Sequence, residues 1–279
     1  MEIIVAENAG FCFGVERALQ MVKERGEQTD APIVTLGPLI HNPQVVERLR
    51  EQGVSQVSSV RAATEGALVI PSHGISPEVA REARERGLHL LDATCPFVAR
   101  AQDNARALAA DGYQVVILGD KGHPEVAGLV GAAGGQAVVV QDEAELDVVR
   151  LRARVGMVVQ TTQTSARLRA VAGALAERCR ELRAFNTICA ATSQRQESAL
   201  SLAQRVDAMV VVGGKISANT NRLHQLCEQT GVPTYHVETA AELNPDWFEG
   251  KGKVGVTAGA STPDWVIQDV VEALRAMGD

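Results

Sequence analysis

Three cysteines, three histidines and one glutamate occupy the places in this chain where chemistry is easiest to locate. Cys12 lies in "GFCFGVERA", Cys95 in "DATCPFV" and Cys189 in "ICAATSQRQ", each at or just before a helical pattern. The positive end of a helix dipole stabilises a thiolate there. One such cysteine per third of the chain is the pattern of a ligand set donated by three lobes to one centre. Zinc is one reading, although structural zinc sites usually pair ligands as C-x-x-C and take four. Three isolated cysteines also fit an iron–sulfur cluster with one iron left open. A hydrolase-type nucleophile would need one cysteine beside a histidine and would leave two idle. Cys179 in "LAERCREL" and Cys227 in "LHQLCEQ" fall on apolar helical stripes and read as packing.

A second set of polar residues follows the apolar runs. His41 and Asn42 come after "PIVTL", His73 after "ALVIP", and His123 and Glu125 after "VVILG". Thr161 comes after "GMVVQ", Ser217 and Asn219 after "AMVVVGG", and Ser261 after "KVGVTAG". Ser, Thr and Asn at such turns cap helices for stability alone. Histidine is a poor cap, so three histidines in this setting point further. With exposed backbone N–H groups at helix starts, they suit an anion such as phosphate. His89, His224 and His236 follow no strand end and read as structural or surface residues.

The elements that must position these residues are legible from periodicity. Nine short β-branched runs ("EIIVA", "PIVTL", "ALVIP", "YQVVILG", "QAVVVQ", "GMVVQ", "AMVVVGG", "VPTYHV", "KVGVTAG") alternate with helical patterns. That alternation predicts an α/β protein with mainly parallel sheets covered on both faces. The runs fall into three groups of three, predicting three pseudo-repeated small lobes around a shared centre. In parallel sheets ligands bind beyond the carboxyl ends of the strands, where His41, His73, His123, Glu125, Thr161, Ser217, Asn219 and Ser261 are placed.

The 279 residues carry a net charge of -7, which argues against a nucleic-acid binder held by a general basic field. No apolar run reaches membrane-spanning length. The opening "MEIIVAENAG" is unlike a signal peptide, so a cytoplasmic protein is expected. Five scattered cysteines are too few for a disulfide scaffold. "GLVGAAGG" is too irregular for a dinucleotide fingerprint, and no Walker-type loop is present. Two non-redox readings stand beside a redox one: a metal- or cysteine-dependent hydrolase, or a sensor, of a phosphorylated small molecule.

Taken in order, "GFCFGVERA", "LGPLIHNPQVV", "IPSHGISP", "DATCPFV", "GDKGHPEV", "QTTQTS", "ICAATSQRQ", "VVVGGKISANTNRL" and "GVTAGASTPDW" closely resemble the 4-hydroxy-3-methylbut-2-enyl diphosphate reductase family, also called LytB. The resemblance covers essentially the whole chain. It implies three lobes arranged as a trefoil around a central iron–sulfur site. Lobe 1 would be 1–95, with Cys12, Cys95, His41 and His73, and lobe 2 would be 96–185, with His123, Glu125 and Thr161. Lobe 3 would be 186–279, with Cys189, Ser217, Asn219, Ser261 and a closing helix.

The implied reaction is reductive dehydroxylation of (E)-4-hydroxy-3-methylbut-2-enyl diphosphate to isopentenyl and dimethylallyl diphosphate. It is the last step of the non-mevalonate isoprenoid pathway. The resemblance implies one 4Fe-4S cluster on Cys12, Cys95 and Cys189, with an open fourth iron for the substrate hydroxyl oxygen. It assigns the diphosphate to His41, His73, His123, Ser217, Asn219 and Ser261. Thr161 and Glu125 would lie near the hydroxyl, with Glu125, His123 and Thr161 as the catalytic group and Glu125 feeding protons. A ferredoxin or flavodoxin-type protein would donate electrons. The chain departs from the usual Ser-Ser-Asn by reading Ser217-Ala218-Asn219, which removes one hydroxyl donor.

Overall fold

In the computed structural model, which describes residues 1–28, 31–63 and 66–278, all nine expected runs form strands. The chain begins with β1 (Glu2–Val5), α1 (Phe13–Gln28), β2 (Ile33–Leu36), α2 (Pro43–Glu51) and β3 (Val54–Val57). It continues through β4 (Ala67–Ile70), α3 (Pro77–Glu85), β5 (His89–Asp92) and α4 (Pro96–Ala110). Next come β6 (Gln114–Leu118), α5 (Pro124–Ala132), β7 (Val138–Val140), β8 (Arg154–Val159), α6 (Ser165–Arg178) and β9 (Glu181–Ala184). The last part holds α7 (Ala190–Ala203), β10 (Ala208–Val212), α8 (Ala218–Glu228), β11 (Thr234–Val237), β12 (Lys253–Ala258) and α9 (Asp264–Gly278).

The strands form three four-stranded sheets in the orders β3-β2-β4-β5, β7-β6-β8-β9 and β1-β12-β10-β11. Every pairing is parallel. The central strands are buried throughout, as in β4, β10 and the last five residues of β8. Helices cover both faces, so these strands carry unbroken apolar runs rather than alternation.

Two features differ from the sequence expectation. Three further strands, β3, β5 and β9, are all sheet edges, with burial confined to part of each strand. An edge strand packs fewer neighbours and so needs no apolar run. The other is β1, grouped by sequence with the first lobe, which pairs instead with β12 in the third sheet, Ile3 beside Val254. Burial decides that pairing. Ile3 packs on the cluster containing Val266, Val270 and Leu274 of α9, while Ile4 packs on the opposite one with Leu202 and Leu223.

By packing, the chain divides into two compact units. Unit 1 comprises Met1–Val15, His41–Val45 and Ala190–Asp279, and unit 2 comprises Glu16–Ile40 and Val46–Cys189. Unit 1 holds the β1-β12-β10-β11 sheet, and unit 2 holds the other two sheets. Within unit 2, α5 packs closely on the start of α3. A Cβ on Gly131 would lie 2.5 Å from Ser76 Cβ, and one on Gly128 2.6 Å from Gln102 Nε2. Gly128 and Gly131 of "GLVGAAGG" thus serve helix packing, while Gly134 and Gly135 take positive φ in the turn after α5. Among the described residues, no helix is long and apolar enough to cross a membrane.

Candidate functional site

In unit 2, two strand-to-helix turns bring a carboxyl group and a hydroxyl group together. The turn after β6 leads into α5, with His123 as its N-cap and Pro124 at the first helical position. His123 does cap this helix, its Nδ1 accepting from the Glu125 backbone N–H at 3.1 Å. The neutral ring therefore carries its proton on Nε2. Glu125 is only 3% exposed. Its Oε1 accepts the Thr161 backbone N–H at 2.7 Å, and its Oε2 accepts the Thr161 hydroxyl at 3.0 Å. The Thr161 carbonyl in turn accepts the Cys189 N–H at 3.0 Å, so Thr161 is held on both sides.

Burial pushes the Glu125 carboxyl up to about 7, aided by the Asp120 carboxylate and opposed by the two hydrogen bonds from Thr161. Desolvation disfavours the charged form, and here it outweighs both donors. Sequence reasoning passed over Asp120 and Gln160. Gln160 is fully buried, and its Oε1 accepts the Asp120 N–H at 2.7 Å, which ties the two turns together. Their only sequence signal was position, each at the end of an apolar strand run. His73 is buried at the turn after β4, where the Ser72 carbonyl accepts the Cys95 N–H at 2.9 Å.

In unit 1, the turn after β10 leads into α8, which Ser217 caps by accepting the Thr220 N–H at 3.3 Å. Ser261 donates to the His41 carbonyl at 3.1 Å. Asn219 Oδ1 accepts the Ala260 N–H at 3.0 Å. His41, Ser217, Asn219 and Ser261 are thereby drawn to one set of turns. Gly214 is required there, because a Cβ would stand 2.6 Å from the His41 oxygen. Burial holds the His41 imidazole below its usual range, which favours the neutral ring. The Asn219 and Asn42 amide nitrogens are buried with no hydrogen-bond partner among the described residues. Unspent donors beside a helix N-terminus make a site for an anion. Ala218 is the first residue of α8, so the missing hydroxyl leaves the helix amides in place.

The cysteine expectation is corrected. Cys12 belongs to unit 1, where its N–H donates to the Ala260 carbonyl at 3.2 Å; Cys95 and Cys189 belong to unit 2. Cys95 is the N-cap of α4, and Cys189 directly precedes α7. Among the described residues, no group of three or more His, Cys, Asp or Glu is placed to hold a metal ion. The expected 4Fe-4S cluster on Cys12, Cys95 and Cys189 is therefore not borne out. The physical reason is that spacing puts each thiol at its own strand-to-helix turn. It does not dictate that turns from different sheets converge. Cys227 is fully buried in the α7–α8 layer, and burial pushes its thiol up to about 12.

The family model described as "LytB protein" matches residues 3–275. The 4-hydroxy-3-methylbut-2-enyl diphosphate reductase of Geobacter metallireducens (strain ATCC 53774 / DSM 7210 / GS-15) is 48% identical over 275 residues, covering 99% of this chain and 97% of that one. The enzyme of the same name from Aquifex aeolicus (strain VF5) is 44% identical over 278 residues, covering 99% and 96%. Among solved structures, (E)-4-hydroxy-3-methyl-but-2-enyl diphosphate reductase, described as the terminal enzyme of the non-mevalonate pathway, matches with a TM-score of 0.71 at 44% identity. That match covers 99% of this chain and 100% of the other. The E-1-hydroxy-2-methyl-but-2-enyl-4-diphosphate reductase from Plasmodium falciparum matches with a TM-score of 0.94 at 26% identity, covering 98% and 87%.

Proposed function

The chain belongs to the LytB protein family, and from that premise we infer that it is a 4-hydroxy-3-methylbut-2-enyl diphosphate reductase. It reductively dehydroxylates (E)-4-hydroxy-3-methylbut-2-enyl diphosphate to isopentenyl and dimethylallyl diphosphate. Two electrons and two protons enter, the allylic C–O bond breaks, a C–H bond forms and water leaves. Hydroxide is a poor leaving group, so the departing oxygen needs a proton at the moment the bond breaks.

Glu125 supplies that proton in this proposal. Its support is a single observation, a buried carboxyl whose pKa lies at about 7 and which is hydrogen-bonded at both oxygens to Thr161. Near neutrality such a group is protonated often enough to donate and ionises readily enough to be recharged. When protonated, Glu125 donates to the Thr161 hydroxyl, which can pass its own proton on. His123 fixes the Glu125 backbone by accepting its N–H, and the family resemblance adds it to the catalytic group.

We assign the diphosphate to the neutral donors His41, Ser217, Asn219 and Ser261, with His73 and His123 added by the family resemblance. The orphaned Asn219 amide and the first amides of α8 support this assignment. Anchoring by the diphosphate lets binding energy be spent on orienting the reacting bond. The electrons come from outside the chain, and a ferredoxin or flavodoxin-type protein is the proposed donor.

Glu125→Gln tests the proton role. Turnover should fall on the order of a hundredfold or more while diphosphate affinity is kept. Turnover like that of the unaltered enzyme would remove Glu125 from the proton path.

A further inference from the structure

The turn that carries Ser217 is tied down from a neighbouring strand by residues that the reaction does not use. His236 lies in β11 and Glu238 directly follows that strand. His236 Nε2 lies 2.8 Å from the Gly213 carbonyl oxygen. A carbonyl only accepts, so the His236 ring must donate from Nε2. The Lys215 N–H donates to Glu238 Oε1 at 2.7 Å, and the Lys215 ammonium is drawn off to Glu242 at 2.6 Å. The His224 ring packs beside His236 at 5.6 Å between centroids.

The braced turn has little room to shift. Gly213 adopts φ +142°, and a Cβ on it would lie 2.4 Å from Thr262 Oγ1. The Ser217 N–H donates to the Gly214 carbonyl at 2.9 Å, so the two-point hold passes directly to the cap of α8. We propose that His236 and Glu238 are positioning residues for anion binding, bracing turn 213–217 so that Ser217, Asn219 and the first amides of α8 meet the diphosphate. This inference rests on the assignment of the diphosphate to those groups.

Calorimetric titration of the full chain with inorganic diphosphate separates the two. His236→Leu should weaken diphosphate about fivefold, the effect of one lost hydrogen bond. His236→Gln, whose amide nitrogen reaches the same position, should restore it. In turnover, His236→Leu should raise KM by a similar factor while kcat moves far less. Loss of packing alone would not be rescued by Gln. Should His236→Leu fail to fold, Glu238→Ala reads the other half of the brace on the same scale. Unchanged affinity in the brace variant, with affinity lost in Asn219→Asp, overturns the brace and leaves the diphosphate assignment standing. Unchanged affinity in Asn219→Asp as well overturns the assignment and the brace with it.

Discussion

Glu125 is under two opposed influences. Thr161 offers it two hydrogen bonds that favour the carboxylate, and burial away from water favours the acid. Burial wins, which sets the sign of two pH effects. Proton donation needs the protonated form, so kcat should fall as pH rises above about 7, and Glu125→Gln should lack that limb. Stability follows the same direction. The native state holds its proton up to about 7, whereas the unfolded chain releases it near 4.5. Glu125 therefore lowers stability as pH rises between those values, by about 3 kcal/mol at most. Denaturant titrations across that range should show the slope in the unaltered protein and its loss in Glu125→Gln. Glu125 and Thr161 were legible as residues following strand ends. Their mutual hydrogen bonds were not, because residues 36 positions apart meet only through the β6–β8 pairing.

At the scale of elements, small residues decide where helices sit. Gly131 lets α5 lie against the first turn of α3, with Ser76 Cβ in the space a side chain would need. Gly131→Val should cost about 2 kcal/mol through overpacking, read as a lowered Tm. An unchanged Tm would mean that α5 slides without penalty. The α5 helix also carries Glu125, so turnover should fall further than stability alone explains. The strands most readily read from sequence are those buried on both faces, such as "AMVVV" of β10. The edge strands β3, β5 and β9 escaped notice because their residues are only partly buried and mix polar with apolar types. Turn chemistry was legible where a polar residue after a strand caps the next helix, as Ser217 does. It misled for His123, a residue type that rarely caps and here does so through its ring nitrogen.

At the scale of the molecule, the N-terminal strand completes the last sheet. Met1 lies against Gly278 at the end of α9, and β1 pairs with β12, so both ends of the described chain belong to unit 1. Such a long-range pairing leaves no trace in local periodicity, which is why β1 was grouped with its sequence neighbours. The same limit explains the cysteines. Their placement at three helix starts was legible, and their assembly into one metal centre, a tertiary property, did not follow. What the ordered motifs did specify is the family, and with it the reaction. The most direct test is anaerobic incubation of the full chain with (E)-4-hydroxy-3-methylbut-2-enyl diphosphate and a reduced one-electron donor, with products resolved by mass spectrometry. Isopentenyl and dimethylallyl diphosphate should form with two electrons consumed per product. Release of inorganic phosphate or of the free alcohol, with no electrons consumed, would contradict a reductase and identify a hydrolase instead.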